Sequence, residues 1–172
     1  MTGEILSVPF AAAALVLCVA GVAKLRSPHP ASGALASLGL AAGPGPVRVL
    51  GALEVALGCS GLIAPGALVA VPMAAAYAVF ALVARLLVSR RASCGCFGES
   101  EVPASTGQSV LSVVLATVCV LAAVRVPASL LWMLARPAGL SAALVLALAG
   151  CAYAIVVAYT LLPSAWAAWS PR

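Results

Sequence analysis

Charge is nearly excluded from five long stretches of this chain, and that exclusion limits its fold more than any other feature. The apolar runs cover about 5–23, 47–64, 67–88, 108–126 and 140–162. A helix needs about 20 apolar residues to cross a bilayer. A backbone in lipid must satisfy its own hydrogen bonds, which leaves helices or closed barrels. Runs this long and this uniformly apolar predict helices. With 65% hydrophobic and 8% charged residues among 172, and a mean hydropathy of +1.20, no stretch remains for a sizeable soluble domain. The predicted fold class is all-α: a polytopic membrane helix bundle forming one integral membrane domain over 1–172.

The connections are short and carry the punctuation of helix ends. The first run has only Glu4 before it and Lys24 and Arg26 after it. A cleaved signal peptide has the opposite polarity, so the run reads as a retained helix with its N-terminus outside. Between Lys24 and Pro46 lie a Ser27-Pro28-His29-Pro30 turn and an Ala/Leu segment, 31–40, too short to span and suited to the interface. Pro65-Gly66 makes a tight turn before the third span, which Pro72 is expected to kink. Ser105 or Thr106 is a candidate N-cap for the fourth span. The connection 127–139 leads to the fifth span, and Trp166 and Trp169 suit an interfacial aromatic belt. With the N-terminus outside, Lys24, Arg26, Arg48, Arg85, Arg90, Arg91 and Arg172 are cytoplasmic, against Arg125 and Arg136 outside. Seven against two favours that orientation. The net charge of +5 is thus a topology signal and not a nucleic-acid footprint.

The polar loop after the third span carries Cys94-Gly95-Cys96-Phe97-Gly98. Two thiols one residue apart can close a strained, readily reduced disulfide. Gly95 relieves crowding in that ring and Gly98 permits a second turn. Arg90 and Arg91 upstream favour the nucleophilic thiolate, and Phe97 can anchor the loop in the interface. The same pair suits soft metals such as Cu(I), Hg(II) or Zn(II). Two ligands fall short of the four a closed zinc site takes, with His29 and the other cysteines as the only completers. A turn with two incidental cysteines is the plain alternative.

Glu54 is an ionisable residue inside a span, the usual mark of function in a membrane. Gly51, Glu54, Gly58 and Gly61 share one helical stripe, so the carboxylate is expected to face another helix. It can pair with Lys24 or Arg48, or relay a proton; a packing ion pair is an equally good reading. Cys18 lies near the cytoplasmic end of the first span and is the candidate for a second thiol that meets the loop. Cys59, Cys119 and Cys151 read as small apolar core residues, and His29 as a solvated turn residue.

Taken together, Ala20-Gly21-Val22-Ala23-Lys24-Leu25, Leu38-Gly39, Gly51-Ala52-Leu53-Glu54 and Cys94-Gly95-Cys96-Phe97-Gly98 resemble the MauE branch of the DoxX-like membrane proteins, named for methylamine utilisation. The resemblance covers about 5–126. It implies a four-helix membrane core with the CGCFG loop at 94–98; the span at 140–162 lies outside the resemblance and is expected to be an additional transmembrane helix. It also implies thiol–disulfide handling alongside a thioredoxin-like protein, in the maturation of a disulfide-rich exported protein. Lys24, Glu54, Cys94 and Cys96 are the residues it carries over.

Three functions follow from these readings. The first is a membrane thiol–disulfide oxidoreductase or electron conduit, with Cys94, Cys96, Cys18 and Glu54 as its working residues and Lys24 in support. The second is soft-metal transport or delivery through Cys94 and Cys96. The third is a non-catalytic membrane subunit that docks a partner enzyme. No quinone, haem or nucleotide motif identifies a cofactor, and a quinone or a soft metal stays open. The expected setting is a bacterial cytoplasmic (inner) membrane, with the CGCFG loop on the cytoplasmic face. Small-residue stripes would permit a homo-oligomer.

Overall fold

A computed structural model describes residues 2–40, 42–92 and 104–160. The described chain is helical, without strands, and the expected polytopic bundle is observed. Among the described residues eight helices run in order: α1 Thr2–Ile5, α2 Ser7–Arg26, α3 His29–Ser37, α4 Pro44–Ile63, α5 Ala67–Ser89, α6 Thr106–Val124, α7 Leu130–Leu134 and α8 Ala138–Thr160. Five are long and apolar enough to cross a membrane, the first of them continuous from Gly3 to Arg26. Their bounds fall within a few residues of the five apolar runs. Pro72 sits inside α5, and the helix runs on through it.

Helix α2 is the centre of the bundle. Phe10, Ala13, Ala14 and Leu17 are buried in one core with Met73 and Tyr77 of α5 and Leu115, Cys119 and Ala122 of α6. Helix α4 lies antiparallel along α2, and α5 lies along α6. The Tyr77 hydroxyl donates to the Ala13 carbonyl at 2.6 Å, fastening α5 to α2. Helix α8 is far more exposed, burying Leu148 and Tyr159. Leu148 packs with Ala11, Ala12 and Met133, so the short α7 helps to seat α8. Ser129 caps α7 by accepting the Trp132 N–H at 3.3 Å. That helix arises in a connection whose sequence carries no helical period.

The two ends of the bundle differ. At one, Glu4 meets Arg136 at 3.4 Å, and the Arg136 guanidinium lies 3.8 Å from the Trp132 ring centre. At the other, α3 packs Ala34 and Leu38 against Leu87 and Val83 of α5. The segment expected to lie in the interface is therefore docked on the bundle itself. Gly39, with φ +84°, ends α3: Gly39 and Leu40 N–H groups return to Ala36 and Leu35 carbonyls. This is the left-handed cap that glycine makes at least cost, and it accounts for the Leu38-Gly39 pair.

Candidate functional site

The site begins with a repeated spacing. Gly21 precedes Lys24 by three residues on α2, and Gly51 precedes Glu54 by three on α4. Residues three apart on a helix share a face. A Cβ on Gly21 would sit 2.5 Å from the Gly51 carbonyl oxygen, and one on Gly51 2.8 Å from the Gly21 carbonyl oxygen. The two glycines thus let the backbones touch, as small residues do between membrane helices. One turn on, Lys24 Nζ donates to Glu54 Oε2 at 2.8 Å, with both side chains at most 6% exposed. The Lys24 ammonium also lies 5.3 Å from the Phe80 ring centre, a cation–π contact. Phe80 in turn meets Tyr77 edge-on at 6.0 Å. Of the two partners open to Glu54 in the sequence, the structure selects Lys24; Arg48 is exposed. The buried Glu54 Oε1 has no hydrogen-bond partner among the described residues.

Beside the ion pair is a cavity of about 160 Å³, lined by Lys24, Leu35, Tyr77, Phe80, Ser112 and Tyr159 among others. Its polar wall is built where α8 meets α6. Gln108 Nε2 donates to the Tyr159 carbonyl at 2.9 Å, and the Ser112 and Tyr159 hydroxyls are 2.7 Å apart. The cavity lies at the bundle end where α5 finishes and α6 begins.

Both edges of the cysteine-bearing segment are fixed at this same end. Arg91 has φ +53°, and its N–H and that of Ala92 return to the Val88 and Leu87 carbonyls. This pattern stops α5. Ala104 N–H donates to the Ala92 carbonyl at 2.9 Å, so the two described edges of this segment meet at one point. Ser105 then caps α6, accepting from Gln108 N–H while its own N–H donates to Gln108 Oε1. The Arg90 guanidinium donates to the Ser37 carbonyl at 2.7 Å, where the C-terminal end of α3 favours a cation. Arg90 therefore ties α3 to α5. Cys94, Gly95, Cys96, Phe97 and Gly98 lie outside the described residues.

Cys18, the thiol expected to meet the loop, lies beside Cys59. Its Sγ is 3.9 Å from Cys59 Sγ and 3.8 Å from the Val55 carbonyl oxygen. Cys59 is exposed on α4, whereas its sequence read as core; Cys119 is buried and Cys151 half-buried. Gly58 makes the approach possible, because a Cβ there would lie 2.5 Å from Cys18 Sγ. The sequence does hold the signal for Gly58, on the Gly51–Glu54–Gly58–Gly61 stripe. It holds none for the register of α2 on α4, which pairs the two sulfurs. His29, at the start of α3, is exposed.

The family described as Methylamine utilisation protein MauE matches residues 2–128. The chain belongs to the MauE family. The match takes in the Gly21/Lys24 and Gly51/Glu54 pairs, Cys18, Cys59 and the Cys94/Cys96 segment, and it ends before α8. Comparisons with curated proteins and with solved structures found no match. This member of the MauE family is thus a multi-pass membrane protein with a buried ion pair at the bundle end where Ala92 and Ala104 meet.

Proposed function

We propose that the protein is a membrane thiol–disulfide oxidoreductase in which Cys94 and Cys96 alternate between dithiol and disulfide in exchange with a thioredoxin-like protein. The observation that carries this reading is the closure of the chain around 93–103. The Ala104-to-Ala92 hydrogen bond, the left-handed stop at Arg91 and the Ser105/Gln108 capping box hold both edges of that segment at one bundle end. A redox dithiol has to be presented to a partner protein from a fixed base, and such a stem provides one. Arg91, exposed at the stem, adds positive charge that favours a thiolate.

In the exchange, a thiolate of the pair attacks the partner's disulfide and releases one partner thiol. The second cysteine attacks the resulting mixed disulfide, releasing the other. The Cys94–Cys96 disulfide forms as the partner is reduced, and the reverse sequence runs with the roles exchanged. The Lys24–Glu54 pair holds α2 to α4 beneath this end. With the N-terminus outside, the stem lies at the cytoplasmic face of a bacterial inner membrane. The family's link to methylamine utilisation suggests an exported protein as the final recipient of the disulfides.

The test is exchange with a thioredoxin-like protein, followed by the redox state of that protein. Cys94→Ser and Cys96→Ser should each abolish turnover. Wild-type rates in either variant would remove the proposal. Stoichiometric metal in protein purified without chelators, lost in the double variant, would replace it with soft-metal handling.

A further inference from the structure

We infer that Cys18 and Cys59 form a second thiol–disulfide centre, inside the bilayer, whose substrate is a disulfide presented within the membrane. This goes beyond the loop chemistry and does not depend on it. The two sulfurs are 3.9 Å apart on antiparallel helices held in backbone contact by Gly21, Gly51 and Gly58. A disulfide bond is about 2.05 Å long, so side-chain rotation has only to close a gap of about 2 Å.

The pair is embedded. Cys18 lies six residues before Lys24 and Cys59 five after Glu54, which puts the sulfurs roughly 8 Å deeper than the ion pair at ~1.5 Å per residue.

The two cysteines are not equivalent. Cys59 is exposed on the lipid-facing surface of α4, while Cys18 is half-buried with its thiol directed at the Val55 carbonyl. Cys59 is therefore the exchanging sulfur and Cys18 the resolving one. In the forward direction Cys59 gives up its proton and attacks a disulfide R–S–S–R. A Cys59–S–S–R bond forms and one RSH leaves. Cys18 then gives up its proton and attacks the Cys59 sulfur, forming Cys18–S–S–Cys59 and releasing the second RSH. The protein loses two electrons and two protons, and the incoming disulfide gains both.

The test uses the full chain in lipid nanodiscs with Cys119→Ala and Cys151→Ala, and one equivalent of 4,4′-dithiodipyridine, a membrane-permeant aromatic disulfide. In the C94S/C96S background the intact mass should fall by two hydrogens, with a linked Cys18–Cys59 peptide that a dithiol reopens. C18S should instead retain a thiopyridyl adduct on Cys59. Oxidised glutathione, confined to water, should leave the pair reduced. A stable thiopyridyl adduct without a linked peptide in the C94S/C96S protein would overturn the centre, and oxidation by glutathione at the same rate would overturn its access from the bilayer. The C18S/C59S protein in the same assay reads the loop alone. Loss of Cys94–Cys96 closure there removes the loop reading and leaves the embedded pair standing.

Discussion

Lys24 and Glu54 show how much a membrane interior demands of a charged residue. Each is acceptable there because the other is 2.8 Å away. Removing one partner of a buried pair leaves an uncompensated charge, whereas replacing both with apolar groups of similar volume can be nearly neutral. Lys24→Ala or Glu54→Ala should therefore destabilise the protein by about 3–5 kcal/mol, read as loss of thermal or denaturant stability in detergent. The Lys24→Met/Glu54→Leu double variant should recover most of that loss. Equal losses in the single and double variants would show that the side chains matter for shape and not for charge. Glu54 was legible in the sequence because an ionisable residue within an apolar run stands out. Its partner was legible only as a choice between Lys24 and Arg48, since Lys24 reaches Glu54 only through the register of α2 on α4, which no local pattern fixes.

At the scale of the elements, glycines set the contact between α2 and α4. A Cβ at Gly58 would meet the Ala14 carbonyl oxygen at 2.6 Å and Cys18 Sγ at 2.5 Å. Gly58→Ala should push the two helices apart, lowering stability and cutting the yield of Cys18–Cys59 cross-linking together. Gly150 on α8 has nothing within 4 Å of its Cβ position, so Gly150→Ala should leave both unchanged or slightly raise stability through helix propensity. Ser105→Ala removes the α6 cap and should cost about 1 kcal/mol, seen as faster hydrogen exchange at the first turn of α6. The long helices were legible because lipid permits little else, and the α6 cap, as a choice between Ser105 and Thr106, because a capping side chain acts locally. The docking of α3 on α5 and the existence of α7 were not. Both rest on tertiary partners, Leu87 for α3 and the Met133 packing for α7, that no local pattern announces.

Across the whole molecule, the two ends of the bundle are chemically distinct. One carries the Glu4–Arg136 pair; the other carries the Lys24–Glu54 pair, the cavity and the stem of the cysteine segment. Helix α8 lies beyond the family match, yet its Tyr159 completes the cavity wall through Ser112. With Cys94 as the sole cysteine, a membrane-impermeant maleimide should label the protein in inverted vesicles and not in right-side-out ones; the reverse result would invert the topology. Redox exchange at Cys94 and Cys96 can be measured directly. Thiols of the full chain in a bilayer are trapped with an alkylating reagent across a series of dithiol/disulfide buffers and located by peptide mapping. A Cys94–Cys96 disulfide should open and close reversibly at a defined potential. Two thiols that stay free across the whole series, or that become protected only when a soft metal is added, would contradict it.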